Sequence, residues 1–142
     1  MNDSAGAGRY RGGLGIRRAV RMLTNASFST RIERTECAPW GLEGGQEALP
    51  NKVFVRRADG QVEQPPNGKI DLMQLSAGDV YVLESGGGGG FGDPLLRPVE
   101  DVQRDVRLGY VSREAARRDY GVVLDDALEI DQAATESLRR GS

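Results

Sequence analysis

Five consecutive glycines, Gly86 to Gly90, lead into Phe91-Gly92-Asp93-Pro94, and this stretch invites a reading as a ligand cradle. Successive amides without side chains can gather around an anion, and glycine lets a second backbone or a ligand approach closely. Gly87, Gly89 and Gly92 match the spacing of a dinucleotide fingerprint, and the apolar run Val80-Tyr81-Val82-Leu83 before them predicts a strand. That fingerprint works only where its last glycines open a helix whose N-terminus holds the pyrophosphate. Here Asp93-Pro94 follows, an acid that repels phosphate and a break in the local pattern, so a dinucleotide site is excluded. No Gly-Lys pair is followed by Ser or Thr, so there is no P-loop either. Two readings of the run stay open: an anion nest at the end of a central strand, or a flexible or tightly packed turn.

The cationic residues are the second feature with chemical capacity. Seventeen are arginines, against only Lys52 and Lys69. Arginine stays charged and grips carboxylates and phosphates with two parallel hydrogen bonds. Five of them, Arg9, Arg11, Arg17, Arg18 and Arg21, fall in a stretch that contains no acid. They form either the solvated face of a strand or a surface for an acidic partner or anionic ligand.

Other chemistries are closed off. The chain has no histidine and a single cysteine, Cys37, so neither a Ser-His nor a Cys-His pair can exist. One cysteine cannot hold zinc, and the acids show no calcium-loop spacing. Cys37 is expected to be a small buried or half-buried residue, and Trp40 either a core residue or an interface or pocket aromatic.

The elements that must position these residues follow from periodicity. Leu14, Ile16, Val20 and Met22 share one parity, with Arg17 and Arg21 on the other, which predicts a strand. Phe28, Thr30 and Ile32 alternate with polar residues, and the bend at Asn25-Ala26 suggests that the two segments form a hairpin or neighbouring strands. Val53 to Arg56, the Asp59-Gly60 turn and Gln61 to Glu63 predict a hairpin. Ile70 to Leu75 is a further strand, and Val80 to Leu83 the candidate central one.

Beyond Pro94 the pattern turns helical. Val99, Val102 and Val106 share a face after Pro98, with Gly109 at the end. Ser112 can cap a second helix that stops at Tyr120-Gly121, and Asp131 a third that reaches Arg139. The predicted class is α+β: a β-rich, mostly antiparallel body with short helices segregated at the C-terminus. The expected division is a flexible N-terminus over 1–8, a body over 9–93 ending in the glycine loop, and a helical segment over 94–142, all in one compact unit.

Net charge is −2 with a pI near 5.3, which gives no ground for a nucleic-acid partner. No apolar segment is long enough to span a membrane and no signal-peptide core opens the chain, so the expected compartment is the cytoplasm.

Five motifs occur in order: Gly8-Arg9-Tyr10-Arg11-Gly12-Gly13-Leu14-Gly15; Pro39-Trp40-Gly41-Leu42 with Gly44-Gly45; Asn67-Gly68-Lys69 leading to Gly78-Asp79; Gly86 to Pro94; and Asp101-Val102, Asp105-Val106, Gly109-Tyr110-Val111-Ser112 and Tyr120-Gly121-Val122-Val123, followed by Ile130-Asp131 and Ala134-Thr135. Together they resemble the C-terminal region of the hydantoinase B/oxoprolinase family, which includes N-methylhydantoinase B, 5-oxoprolinase and the alpha-type subunits of acetone and acetophenone carboxylases. The resemblance implies work within a hetero-oligomer. Partners would be a hydantoinase A-type ATP-using subunit and the remainder of the large subunit, with a small-molecule substrate. It implies ATP-dependent hydrolysis of a cyclic amide of the hydantoin or 5-oxoproline type, in which phosphorylation activates an otherwise unreactive amide oxygen. A ketone carboxylase segment and a noncatalytic assembly module are the alternatives.

ATP and a divalent metal are implied for the full complex, with no cofactor bound by this chain alone. The family's metal-binding His and Asp residues belong to a longer N-terminal portion expected to lie outside this sequence. No catalytic residue is therefore assigned. Arg9, Arg11, Gly12 and Gly13 are expected to form one wall of a composite substrate site. Gly87, Gly88, Gly89, Gly90, Phe91 and Asp93 would form the facing loop, with Arg11 holding a carboxylate or phosphate.

Overall fold

The structure is a computed structural model that describes residues 1–141. Six strands run in order, β1 (Arg17–Arg21), β2 (Ala26–Arg31), β3 (Lys52–Arg56), β4 (Val62–Glu63), β5 (Lys69–Leu75) and β6 (Val80–Glu84). A 3-10 turn at Pro94–Leu96 follows, then α1 (Val99–Arg107), α2 (Arg113–Tyr120) and α3 (Gln132–Arg140). The class is α+β with antiparallel pairing throughout the named strands, as the periodicity predicts.

The chain divides into two compact units that interleave in sequence. One holds Met1–Gly15, Pro39–Leu49 and everything from Gly87 onward; the other holds Ile16–Ala38 and Pro50–Gly86. This differs from the expected single unit, and from the expected cut at Asp93. The reason lies in hydrogen bonding: the glycine run pairs with the N-terminal segment and the 39–48 loop, not with the strands that precede it. The first eight residues, expected to be flexible, belong to that weave. Ser4 is fully buried, donates to the Met1 carbonyl and accepts from the Gly15 amide, and Ala7 is buried as well.

The second unit is all β. A four-stranded sheet has the order β1-β6-β3-β4, and a two-stranded sheet pairs β2 with β5. The apolar run of β6 is central, as expected. The hairpin of β3 and β4 also forms, through pairs such as Val55 with Glu63. The first two strands do not pair with each other, contrary to the hairpin expectation. Beyond β1, the Met22 amide donates to the Asp79 carbonyl and Gly78 donates back to Met22. This anchors the chain at the turn before β6, so β1 pairs with β6 and β2 with β5.

A buried carboxylate ties that turn down. Asp79 accepts from the amides of Ser76 at 3.0 Å and Ala58 at 2.9 Å, and from Arg57 Nη1 at 2.8 Å. The Ser76 amide and the Arg57 guanidinium hold the Asp79 carboxyl below its ordinary range, because both stabilise the ionised form. Cys37 is exposed, not buried as expected, since it sits at a bend after the polar run Glu33-Arg34-Thr35-Glu36.

The helices of the first unit form where capping signals place them. Ser112 Oγ accepts from the Ala115 amide, and Asp131 Oδ1 from the Ala134 amide. Gly121 ends α2 in the left-handed region at φ 62°, where a β-carbon would be strained. The apolar faces meet in one core built from Ala7, Val102, Val106, Val111, Ala115, Ala116, Tyr120, Val122 and Leu124.

Candidate functional site

The glycine run lies as an extended segment between two others. On one side the Gly6 amide donates to the Gly88 carbonyl, and the Gly88 amide to the Gly13 carbonyl at 2.8 Å. On the other the Gly90 amide donates to the Gln46 carbonyl, and Leu42 donates to Gly90. Phe91 then pairs with Tyr10 antiparallel and with Leu42 in parallel. Backbones pack here at a distance no side chain tolerates. A β-carbon on Gly89 would stand 1.8 Å from the Trp40 carbonyl oxygen, and one on Gly12 1.9 Å from that of Gly88.

Of the two readings of the glycine run, the packed one holds. A nest needs backbone alternating through the left-handed region with its amides free. None of Gly86 to Gly90 has a positive φ, and the amides of Gly88, Gly90, Phe91 and Gly92 are all committed to backbone carbonyls.

Gly12 and Gly13 lie against Gly88, while Arg9 bonds Gly92 through its amide. Gly13 has open space where a β-carbon would stand. Asp93 acts downstream of the run: its Oδ1 accepts from the Leu95 amide and caps the 3-10 turn. Arg11 does hold a carboxylate, one from this chain. Its Nε donates to Asp105 Oδ2 at 3.0 Å, its Nη1 to the Gly12 carbonyl at 2.8 Å, and its guanidinium lies 5.3 Å from the centre of the Tyr110 ring.

Asp105 is shared. Arg97 Nη2 donates to the same oxygen at 2.9 Å, and Arg97 Nη1 reaches the Arg9 carbonyl at 3.1 Å. The Asp105 side chain is only 4% exposed, so two guanidinium groups compensate one buried carboxylate. Arg97 Nε is buried without a hydrogen-bond partner. Neither Asp105 nor Arg97 stands out in sequence as a site residue. The signal for Asp105 is its place on the apolar stripe of α1, between Val102 and Val106, where an acid needs a buried cation.

Beside this cluster is a cavity of ≈ 180 Å³, lined among others by Arg11, Gln46, Glu47, Tyr110, Arg118 and Tyr120. Burial pushes the Tyr120 phenol up to about 12, so it stays protonated at neutral pH and is no base there. Arg118 is held by Asp119 at 2.7 Å. The cavity can bind and orient a small polar group through Arg11, Gln46 and Glu47.

An exposed row lies along the weave. Tyr10, Phe91 and Leu42 are paired neighbours, all solvent-exposed, and the Tyr10 and Phe91 rings are 6.3 Å apart. Trp40, for which core packing was one expectation, is 64% exposed. Its backbone carbonyl packs against Gly89.

A sequence model of the hydantoinase B/oxoprolinase family matches residues 1–94. The chain belongs to the hydantoinase B/oxoprolinase family. It is 39% identical over 140 residues to an uncharacterized protein of Methanocaldococcus jannaschii, covering 96% of this chain and 24% of that one. It is 36% identical over 144 residues to the caprolactamase subunit beta of Pseudomonas jessenii, covering 98% and 24%. With the acetone carboxylase alpha subunit of Xanthobacter autotrophicus it shares 30% over 175 residues, covering 96% and 22%. The crystal structure of the ATP-dependent caprolactamase from Pseudomonas jessenii superposes with a TM-score of 0.86 at 34% identity, over 99% of this chain and 25% of that one.

This hydantoinase B/oxoprolinase chain thus spans about a quarter of the length of these relatives. Among the described residues, no three His, Cys, Asp or Glu side chains stand close enough to hold a metal ion. The amides of Gly88 and Gly90 are not available to phosphate. No described helix is long and apolar enough to cross a membrane.

Proposed function

We propose that the chain is the C-terminal portion of a hydantoinase B/oxoprolinase-type large subunit, and that it contributes to ATP-dependent opening of a cyclic amide within a hetero-oligomer. The observation that carries the choice of reaction is the stronger likeness to the caprolactamase beta subunit, 36% identical, than to the acetone carboxylase alpha subunit, 30% identical. ATP, a divalent metal and the chemical step belong to other polypeptide segments on this reading.

What this chain supplies is one wall of a composite substrate site. Arg9, Arg11, Gly12 and Gly13 face Gly87 to Gly90, with Phe91 and Asp93 at the end. The glycines set the shape by letting three backbones close up. Arg11, fixed by Asp105, offers its remaining donor capacity to a carboxylate or carbonyl of the substrate. The exposed row of Tyr10, Leu42 and Phe91 faces the remainder of the large subunit, since contiguous aromatic and aliphatic exposure marks interaction surfaces.

The test is reconstitution with the remaining large-subunit polypeptide and an ATP-using partner. ADP release coupled to ring opening of a hydantoin, 5-oxoproline or a lactam is the expected result, and it should require this chain. Acetone consumption dependent on bicarbonate would give the carboxylase reading instead. Full turnover without the chain would leave it a dispensable assembly module.

A further inference from the structure

The four-stranded sheet of the β unit carries a face that none of the above uses. Register places Arg17, Glu84 and Lys52 in one row across β1, β6 and β3. Ala19, Val82 and Phe54 form the next row, and Arg21, Val80 and Arg56 the third. Alternation puts all three rows on the same side of the sheet. Four cations and one acid thus surround an apolar centre.

The cations at one end are unclaimed. Arg17 is held by Glu84 at 3.4 Å and lies 6.0 Å from the Phe54 ring centre. Among the described residues, Arg21, Arg56 and Lys52 are exposed and have no acidic partner. Arg21 and Arg56 flank Val80 on its two sides, at the mouth of a cleft of ≈ 270 Å³ that also includes Arg57 and Gly78. Arg57 is already committed to Asp79 and Glu63. Two free guanidinium groups two strands apart, roughly 9–10 Å at the backbone, can converge on one carboxylate.

We infer that this face docks an extended acidic segment of a partner polypeptide, one that presents a carboxylate, an apolar side chain and a second carboxylate at alternate residues. The spacing carries the assignment. Successive rows on one face of a sheet lie about 6.7 Å apart, which is the spacing of side chains i and i+2 in an extended strand. The first carboxylate meets Arg21 and Arg56, the apolar side chain covers Ala19 and the half-buried Phe54, on either side of the fully buried Val82, and the second carboxylate meets Lys52. A continuous polyanion such as a nucleic acid suits the face less well, because Glu84 stands between Arg17 and Lys52 in their row. The inference uses residues of the β unit alone and is independent of the reaction proposed above.

The full chain would be titrated into a fluorescein-labelled peptide in which glutamate, serine, leucine, serine and glutamate follow one another, read by fluorescence anisotropy. Saturable binding is expected, weakened at least about tenfold by the R21E/R56E variant, since reversal replaces two attractions by repulsions. Replacing the peptide's leucine by serine should weaken it at least about threefold, through loss of apolar contact. The R18E/R117E variant makes the same charge change on the opposite face of β1 and on α2, and should bind as the unmodified chain does. If R21E/R56E fails to melt cooperatively, R21Q/R56Q takes its place. Equal loss in R18E/R117E, no saturable binding, or tighter binding of single-stranded oligothymidine would each overturn the proposal.

Discussion

Arg11 Nε meets Asp105 Oδ2 at 3.0 Å across 94 positions of sequence, and the pair joins the N-terminal weave to the buried face of α1. Arg97 completes the arrangement from the other side. Asp105→Asn leaves two largely buried guanidinium groups without their counter-charge. Removing one partner of a buried ion pair costs about 3–5 kcal/mol, so urea denaturation should show a loss of that order. A loss under about 1 kcal/mol, the range of surface pairs, would mean that water already screens the cluster.

The close approach of backbones predicts a contrast between two glycines. Gly89→Ala pushes a methyl group into the Trp40 carbonyl, whereas Gly13→Ala meets open space. Overpacking of this kind costs about 1–3 kcal/mol or more, while the alanine at position 13 should stay within about 1 kcal/mol of the unmodified chain. Thermal melts of the two variants side by side measure the difference. Equal midpoints would refute the tight packing of the run.

Tyr120 predicts a loss of stability in alkali. Its phenol is held protonated in the fold up to about 12, against an ordinary value of 10.0. The raised value makes a contribution that is complete below about pH 10 and lost as pH rises through about 12. Absorbance of tyrosinate should show a late step from Tyr120, and Tyr120→Phe should remove it.

Asp79 predicts the opposite dependence in acid. Its carboxyl is depressed by the Ser76 amide and by Arg57. Its contribution is present above the ordinary carboxylate value of about 3.9 and falls away as pH drops further, through the depressed value. Asp79→Asn should therefore flatten the acid limb of the stability curve below about pH 4. An unchanged limb would show that the turn draws nothing from the ionised form.

Capping offers a smaller, local test. Ser112→Ala and Asp131→Ala each remove the side chain that accepts a first-turn amide of α2 or α3. Each should lower stability by about 1 kcal/mol, measured by the same denaturation. No change in either variant would place the helix ends under tertiary control.

What the sequence could determine was set by signals acting over a few residues. Ser112, Asp131 and Gly121 mark helix ends because a cap satisfies amides and carbonyls of its own helix. The apolar run Val80 to Leu83 marks β6 as central because an interior strand has both edges paired and needs no polar side chains along its middle. The glycine motifs are legible for a related reason: Gly12, Gly45 and Gly89 stand where backbones touch, and such places leave no freedom in residue type.

Tertiary structure alone decided the rest. The pairing of β1 with β6, and of β2 with β5, depends on Met22 bonding the turn at Gly78 and Asp79, more than fifty residues away. The interleaving of the two units depends on the glycine run finding residues 6–13 and 42–46, which no periodicity encodes. Arg11 illustrates the limit. Its type announces a grip on a carboxylate, but its partner is fixed only when α1 folds against the weave and a buried acid must find a cation.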